Sequence, residues 1–238
     1  SVSPDGQTIA YSVIRPDNGS DLFAIDSNGN NRRQLLDCPD ANCSRAAWSP
    51  SGSRIIYERR NFDPSGAGAG PPRLWWLDVR TGDTVPVFQD SQWLGSGAVF
   101  GGDGTYLSYI APLSQQIQIY NINSGQALLV PSRTGEPAAW SPDGETALIS
   151  EIEFVEESFS VHIFAVDAET SEITNLSGEN NAVNDGLPIY SPSGDWIAFN
   201  RKEPRAAMGK QVWLMRPDGS EQIALTDTPE IHFGQPAW

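Results

Sequence analysis

The chain has 238 residues, and its 30 Asp plus Glu outnumber 15 Lys plus Arg to give a net charge of −15. An acidic surface of this kind repels nucleic acid and anionic membranes, and there is no basic stripe of the sort that duplex DNA requires. No apolar run approaches the length of a membrane span, while 238 residues are enough for one all-β domain with a sizeable core.

The first recognisable element is the turn Ser3-Pro4-Asp5-Gly6, followed by apolar residues at every second position, Ile9 and Tyr11. That period is the signature of a strand with one buried face. A further strand is predicted over Asp21 to Asp26, then the turn Ser27-Asn28-Gly29 and a strand over Arg33 to Leu36. The second unit opens with Trp48 and Ser49-Pro50-Ser51-Gly52, continues through Ile55 and Tyr57, and has strands over Arg73 to Asp78 and Thr84 to Phe88. Between them lies the glycine-rich insertion Asn61 to Pro72. It lacks the Lys-Ser/Thr ending of a phosphate loop and is expected to be a flexible linker.

The third unit has Phe100, Gly101-Gly102-Asp103-Gly104, Leu107 and Tyr109, then strands over Gln116 to Ile122 and Ala127 to Val130. With Gly-Gly in place of Ser-Pro, its turn is expected to be looser. The fourth has Trp140, Ser141-Pro142-Asp143-Gly144, Ala147 and Ile149, then Val161 to Asp167 and Glu172 to Leu176. The fifth has Tyr190, Ser191-Pro192-Ser193-Gly194, Ile197 and Phe199, then Gln211 to Met215 and Gln222 to Leu225. The last glycines of the five turns lie 46, 52, 40 and 50 residues apart. Proline presets one turn dihedral and glycine tolerates the positive φ, so each motif reverses the chain between two strands. No stretch has a sustained helical stripe; the best, Glu203 to Lys210, contains Pro204 and Gly209. Self-similarity at this period, with four short strands per unit, predicts an all-β, five-bladed β-propeller of four-stranded antiparallel blades.

Trp140-Ser141-Pro142-Asp143-Gly144, an apolar strand, a strand ending in Asp and a glycine turn together resemble the WD-like repeat of the TolB propeller family. Ala46-Ala47-Trp48, Pro137-Ala138-Ala139-Trp140 and Pro236-Ala237-Trp238 look like that family's innermost strand. The resemblance implies a propeller that serves protein contact. It covers residues 1–238 as one domain, with repeats at about 2–47, 48–99, 100–139, 140–189 and 190–238. Phe233 to Trp238 is expected to supply the inner strand of the first blade and close the ring; the alternative is part of a ring of six or more blades. Because residue 1 is not Met, the chain is expected to have been processed or cut from a longer one.

Cys38 and Cys43, the only cysteines, are expected to form a disulfide that pins a surface loop, favouring a periplasmic, secreted or cell-surface location. Two cysteines are too few for a structural zinc site, and no metal or cofactor is expected. Asp26-Ser27-Asn28-Gly29-Asn30 begins like a calcium loop, but Asn31 stands where that loop needs glycine, so a hairpin turn is the better reading. His162 and His232 lack a Gly-x-Ser-x-Gly elbow, and a packing or hydrogen-bonding role is expected for both. Glu151, Glu153, Glu156 and Glu157 form an acidic cluster, read as a solvated loop before the third strand of the fourth unit. No catalytic residue emerges, and the chain is expected not to be an enzyme. It reads as a binding scaffold for a protein, peptide or other ligand, with contacts on linkers between blades: Asp90, Trp93, Asn184, Asp185, His232 and Phe233. The alternatives are a gating domain of a larger peptidase or sensor and, less favoured, a five-bladed glycosidase.

Overall fold

The computed structural model describes residues 1–238 apart from 64, 67, 91, 156–157, 180–181, 204–208 and 229. Among the described residues every regular element is a strand. The helix-like candidate Glu203 to Lys210 falls largely outside them. The chain divides into two compact units, one of Ser1–Phe100 with Tyr109–Ser114, the other of Gly101–Ser108 with Gln115–Trp238.

The first unit contains β1 (Thr8–Ile14), β2 (Ser20–Asp26), β3 (Arg33–Leu36), β4 (Ala41–Trp48), β5 (Arg54–Asn61), β6 (Arg73–Asp78), β7 (Thr84–Pro86) and β8 (Ser96–Phe100). One sheet runs β1-β2-β4-β5-β6-β7, with β3 also on β2. Its neighbours are antiparallel hairpins except where β2 meets β4, a single parallel pair of Ser20 opposite Asn42. Ala10, Leu22, Trp48, Ile55, Tyr57 and Leu77 fill the core. Of the alternating residues read from the sequence, Ile55 and Tyr57 are buried, but so is Ile56 between them, and on β1 the buried residue is Ala10 while Ile9 and Tyr11 are half-buried.

The strand β9 (Tyr106–Ala111) is divided between the units. The second unit continues with β10 (Gln116–Asn121), β11 (Ala127–Pro131), β12 (Ala139–Trp140), β13 (Thr146–Val155), β14 (Ser158–Asp167), β15 (Ile173–Asn175), β16 (Asn184–Tyr190), β17 (Ile197–Lys202), β18 (Gln211–Met215) and β19 (Ile223–Ala224). A second sheet has the order β11-β10-β9-β8, and a third runs β12-β13-β14-β16-β17-β18-β19, with β15 also on β14. There too a single parallel pair, Val161 opposite Asn184, joins one meander to the next. Leu148, Ile163, Leu176, Tyr190, Ile197, Phe199 and Met215 form its core.

The repeated turns share one hydrogen-bond scheme. Gly6, Gly52, Gly104, Gly144 and Gly194 donate their amides to the carbonyls of Ser3, Ser49, Gly101, Ser141 and Ser191 at 2.8–2.9 Å. The third turn is therefore closed and not looser. Its Gly-Gly has a steric cause: a Cβ on Gly102 would lie 2.1 Å from the carbonyl oxygen of Pro142 in the next turn.

Three other expectations are corrected. The insertion Asn61 to Pro72 folds back on itself where described, with Phe62 bridged to Ala69 and the Asp63 amide donating to the Gly68 carbonyl at 2.8 Å. The Asp63 carboxylate secures this return by accepting from the Ser65 amide and hydroxyl. Glu151 and Glu153 do not lie on a loop but on β13, paired with β14 without interruption from Thr146 opposite Asp167 to Val155 opposite Ser158. Glu156 and Glu157 lie outside the described residues. Phe233 to Trp238 is not a strand. Pro236 offers no amide donor, and the backbone of this segment is held instead by Lys210 and Asn200.

Cys38 and Cys43 are joined by a disulfide. Both are fully buried within the first unit's core, whereas the expectation was a clamp on a surface loop. The turn between them, at Pro39 and Asp40, is what remains exposed.

Candidate functional site

The second unit holds a cavity of about 190 Å³, lined from β14, β16, β17, the approach to β12 and the residue preceding β18. Its shape begins with a bulge. The pairing of β16 with β17 shifts between Gly186 and Ile189, and Leu187 takes a left-handed φ of 53° there. The same device recurs in the first unit, where β4 shifts against β5 between Ser44 and Ala47 and Arg45 has φ 52°. A bulge re-aims the backbone groups around it. In β16 it directs the Leu187 amide to a carboxylate oxygen of Glu136 at 3.3 Å.

Around the bulge gather groups of both signs. Asn184 lines the cavity, with its side-chain oxygen accepting from the Val161 amide at 2.9 Å. Asp185 is 1% exposed, gripped by Arg201 through hydrogen bonds of 2.7 and 2.6 Å. The guanidinium also lies 4.6 Å from the centre of the Trp213 ring, a cation–π contact that replaces part of its lost hydration. Lys202 and Lys210 complete the lining, and neither takes part in an ion pair among the described residues.

Among the described residues, the buried Oδ1 of the lining residue Asn200 lacks a hydrogen-bond partner, as does the buried Oγ of Ser150 on β13, behind Gly186. The Asn200 amide orientation follows from its other end, where Nδ2 donates to the carbonyls of Gly234 at 2.8 Å and Phe233 at 3.4 Å. In β5 of the first unit the position equivalent to Asn200 is Glu58, and it is fully engaged. It accepts from the Ser96 hydroxyl at 2.6 Å and from Arg60 at 2.7 Å. Leaving a buried acceptor unpaired costs about 1–3 kcal/mol, a cost that Asn200 bears beside the cavity it lines.

The expected contact residues fall into two groups. Asn184 and Asp185 line the cavity, and His232 and Phe233 flank it through Lys210: the Lys210 amide donates to Nδ1 of His232 at 3.4 Å, and the Phe233 amide to the Lys210 carbonyl at 3.1 Å. The ion pair with Arg201 already commits Asp185. Asp90 and Trp93 belong to the first unit. There Asp90 caps the Gln92 amide at 2.9 Å, and Trp93, 48% exposed, packs its ring against Phe88. Glu136, Asn200, Lys202 and Lys210 were not among the expected residues. A signal did exist for the last two, since they are the only lysines in the chain.

The histidines behave as packing and hydrogen-bonding residues. His162 is buried on β14 with Nδ1 2.5 Å from Glu153 and 3.2 Å from the Asn175 amide nitrogen. Asp26 to Asn30 is the β2–β3 hairpin turn, with the Gly29 amide donating to the Asp26 carbonyl at 2.8 Å. No group of three or more His, Cys, Asp or Glu suited to a metal ion occurs among the described residues.

No family model matches the chain. It is 34% identical over 193 residues to an uncharacterised protein of Agrobacterium fabrum, an alignment covering 76% of this chain and 57% of that protein. The chain thus spans little more than half the length of this relative. Its fold is similar to that of TolB from Acinetobacter baumannii, with a TM-score of 0.65 and 19% identity over 94% of this chain and 53% of that one. An oligogalacturonate lyase solved with manganese gives a TM-score of 0.66 at 14% identity, over 94% of this chain and 63% of that one. The fold is all-β and of the TolB-like propeller kind. At these identities the likeness speaks for the fold alone.

The expectation that the chain is not an enzyme is overturned by these comparisons. The solved structures that share its fold are largely enzymes. Besides the lyase they include dipeptidyl peptidase 4 of Porphyromonas gingivalis, at 11% identity and TM-score 0.62, and an acylaminoacyl peptidase of Pyrococcus horikoshii, at 14% and 0.63.

Proposed function

We propose that the chain is a recognition propeller that holds a polypeptide at the cavity beside β16 and β17. The observation that carries this reading is the buried, unpaired acceptor of Asn200 beside a cavity built on paired strands, where the equivalent group of the first unit is satisfied. A cavity built on paired strands binds without first ordering its own groups, which keeps the entropic cost of association low. The finer architecture belongs to the same proposal: five blades carrying WD-like repeats. Four four-stranded meanders together with β1 to β3 support the count. The buried disulfide supports a location outside the cytoplasm, where such bonds persist.

Panning a random-peptide display library against the chain tests the reading. Enriched peptides should lose binding to a cavity-filling Thr134→Trp variant. Failure to enrich any peptide, or equal binding to the variant, would overturn it.

A second reading, a domain that gates a peptidase, is favoured by the fold shared with peptidases of which this chain covers 36–39%. Peptide hydrolysis by the protein from its source, with an altered substrate-length limit in the Thr134→Trp variant, would support it over simple display.

A further inference from the structure

We infer that the cavity of the second unit takes a carboxylate with a neighbouring N–H donor, an inference that rests on this cavity being the recognition site. The first observation is compositional and spatial at once. Among 238 residues there are two lysines, Lys202 and Lys210, and both line this one cavity. Every other cation of the chain except the terminal amine and the histidines is an arginine. A chain that uses arginine for its ordinary ion pairs and places both of its lysines at one cavity, neither of them in an ion pair among the described residues, offers positive charge there in a strongly acidic protein. Opposite charge in a partly enclosed site attracts an anion over the repulsion of the whole.

The second observation sets the rest of the ligand. Asn200 is 2% exposed, its Nδ2 is committed to the carbonyls of Phe233 and Gly234, and its Oδ1 has no partner among the described residues. An unpaired amide oxygen asks for a donor, so a plain anion leaves the site half satisfied. Ser150, 1% exposed with its Oγ also unpaired among the described residues, lies behind the lining residue Gly186. An added Cβ on Gly186 would lie 3.6 Å from this Oγ and 3.4 Å from a Glu136 carboxylate oxygen, so Gly186 stands between the hydroxyl and the cavity's carboxylate with no side chain of its own.

The charge count selects a monoanion. Arg201 neutralises Asp185, leaving two lysines against the single carboxylate of Glu136, which a dianion such as phosphate would also have to face. The volume, about 190 Å³, is roughly that of six water molecules at about 30 Å³ each and suits a group the size of a small amino acid. A free amino acid and the C-terminal residue of a peptide share this chemistry, the first with an ammonium as donor and the second with an amide.

Two lysines make the test direct. Reductive methylation with ¹³C-formaldehyde keeps their charge and gives two lysine resonances, with the Ser1 amine as an internal reference. Glycine, N-acetylglycine, N-acetylglycinamide and acetate are titrated in turn. Both lysine resonances should shift saturably with glycine or with N-acetylglycine, at least tenfold more weakly with acetate, and not with the amide. Saturation by glycine alone assigns a free amino acid, and saturation by N-acetylglycine alone a peptide terminus. Calorimetry on unmodified protein should show binding at least tenfold weaker in Lys202→Met and Lys210→Met, restored in part by the arginine variants, as expected when a charge-assisted hydrogen bond is lost. Lysine resonances that ignore every carboxylate, or follow the amide equally, overturn the inference. Display-selected peptides that bind the two methionine variants as well as the wild type would do so too, while leaving the recognition reading intact. Absence of both carboxylate and peptide binding removes both.

Discussion

Arg201 holds Asp185 through two parallel hydrogen bonds, 2.7 Å from Nε and 2.6 Å from Nη2, with both side chains buried. The two face one another across the β16–β17 ladder as a directly opposed pair, so the interaction ties the bulged strand to its neighbour beside the cavity. Removing one partner leaves the other charged, buried and alone. Asp185→Ala should therefore cost about 3–5 kcal/mol. The double variant Asp185→Leu/Arg201→Met should be less destabilised than Asp185→Ala, because nothing charged is then stranded. Urea denaturation of the three proteins checks this, and a double variant worse than the single one would sink it.

The disulfide closes a short loop between β3 and β4, and its sulfurs are sealed in the first unit's core. Constraining the unfolded chain over so few residues is worth about 2 kcal/mol in the loop-entropy picture. Cys38→Ala/Cys43→Ala should lower stability by about that amount, with a further penalty from the cavity it leaves. Because no sulfur surface is open to a reductant, the folded protein should resist mild thiol treatment until the first unit opens. Rapid reduction of the native protein, followed by thiol trapping and mass analysis, would contradict this.

The fold was largely legible because its signals are local. Alternating pairs such as Ile55 and Tyr57, or Ile197 and Phe199, mark the strands, although Ile56 and Ala198 between them are buried too and both faces are covered, and turn chemistry at Asp143-Gly144 declares where the chain reverses. The strands Arg33–Leu36, Arg73–Asp78 and Gln211–Met215 match the sequence reading residue for residue. The long β13–β14 hairpin was misread because runs of glutamate suggest solvent, whereas Glu151 bonds Arg133 and Glu153 bonds His162. The cavity was harder still. Glu136, Asn184, Asn200 and Lys210 come from different strands and linkers, and only the register of β16 on β17 and the backbone bonds of Phe233 bring them together. No local pattern encodes that convergence. The rarity of lysine was the one visible trace of it.

Acid should loosen the repeated turns before it affects the core. Hydrogen bonds from the Ser141 hydroxyl and the Glu145 amide hold the Asp143 carboxyl below its ordinary value of 3.8. The Ser3 hydroxyl and Gln7 amide do the same for Asp5, and the Thr105 hydroxyl and amide for Asp103. A carboxyl with a depressed folded pKa contributes stability that is fully present above its unfolded value and is lost as pH falls through the folded one. Melting temperature should accordingly hold steady above about pH 5 and decline below about pH 4. The triple variant Asp5→Asn/Asp103→Asn/Asp143→Asn should start lower and decline less over the acid range. An unchanged acid slope in that variant would place the pH dependence elsewhere.

The turn at Gly101 to Gly104 is packed against the turn at Ser141 to Gly144, and Gly102 is where they meet. A Cβ there would fall 2.1 Å from the Pro142 carbonyl oxygen and 3.0 Å from its carbon, both backbone atoms that cannot swing aside as a side-chain tip does. Gly102→Ala must push the two turns apart. It should destabilise the second unit by about 1–3 kcal/mol, the usual cost of overpacking. Gly234→Ala is the matched control, because an added Cβ there meets nothing within 4 Å and its backbone is outside the left-handed region. Hydrogen exchange should show faster opening at the amides of Gly104 and Gly144 in Gly102→Ala and no change in Gly234→Ala. Equal protection in the two variants would mean that the contact between the turns yields at little cost, and that the missing Ser-Pro of the third repeat needs another cause.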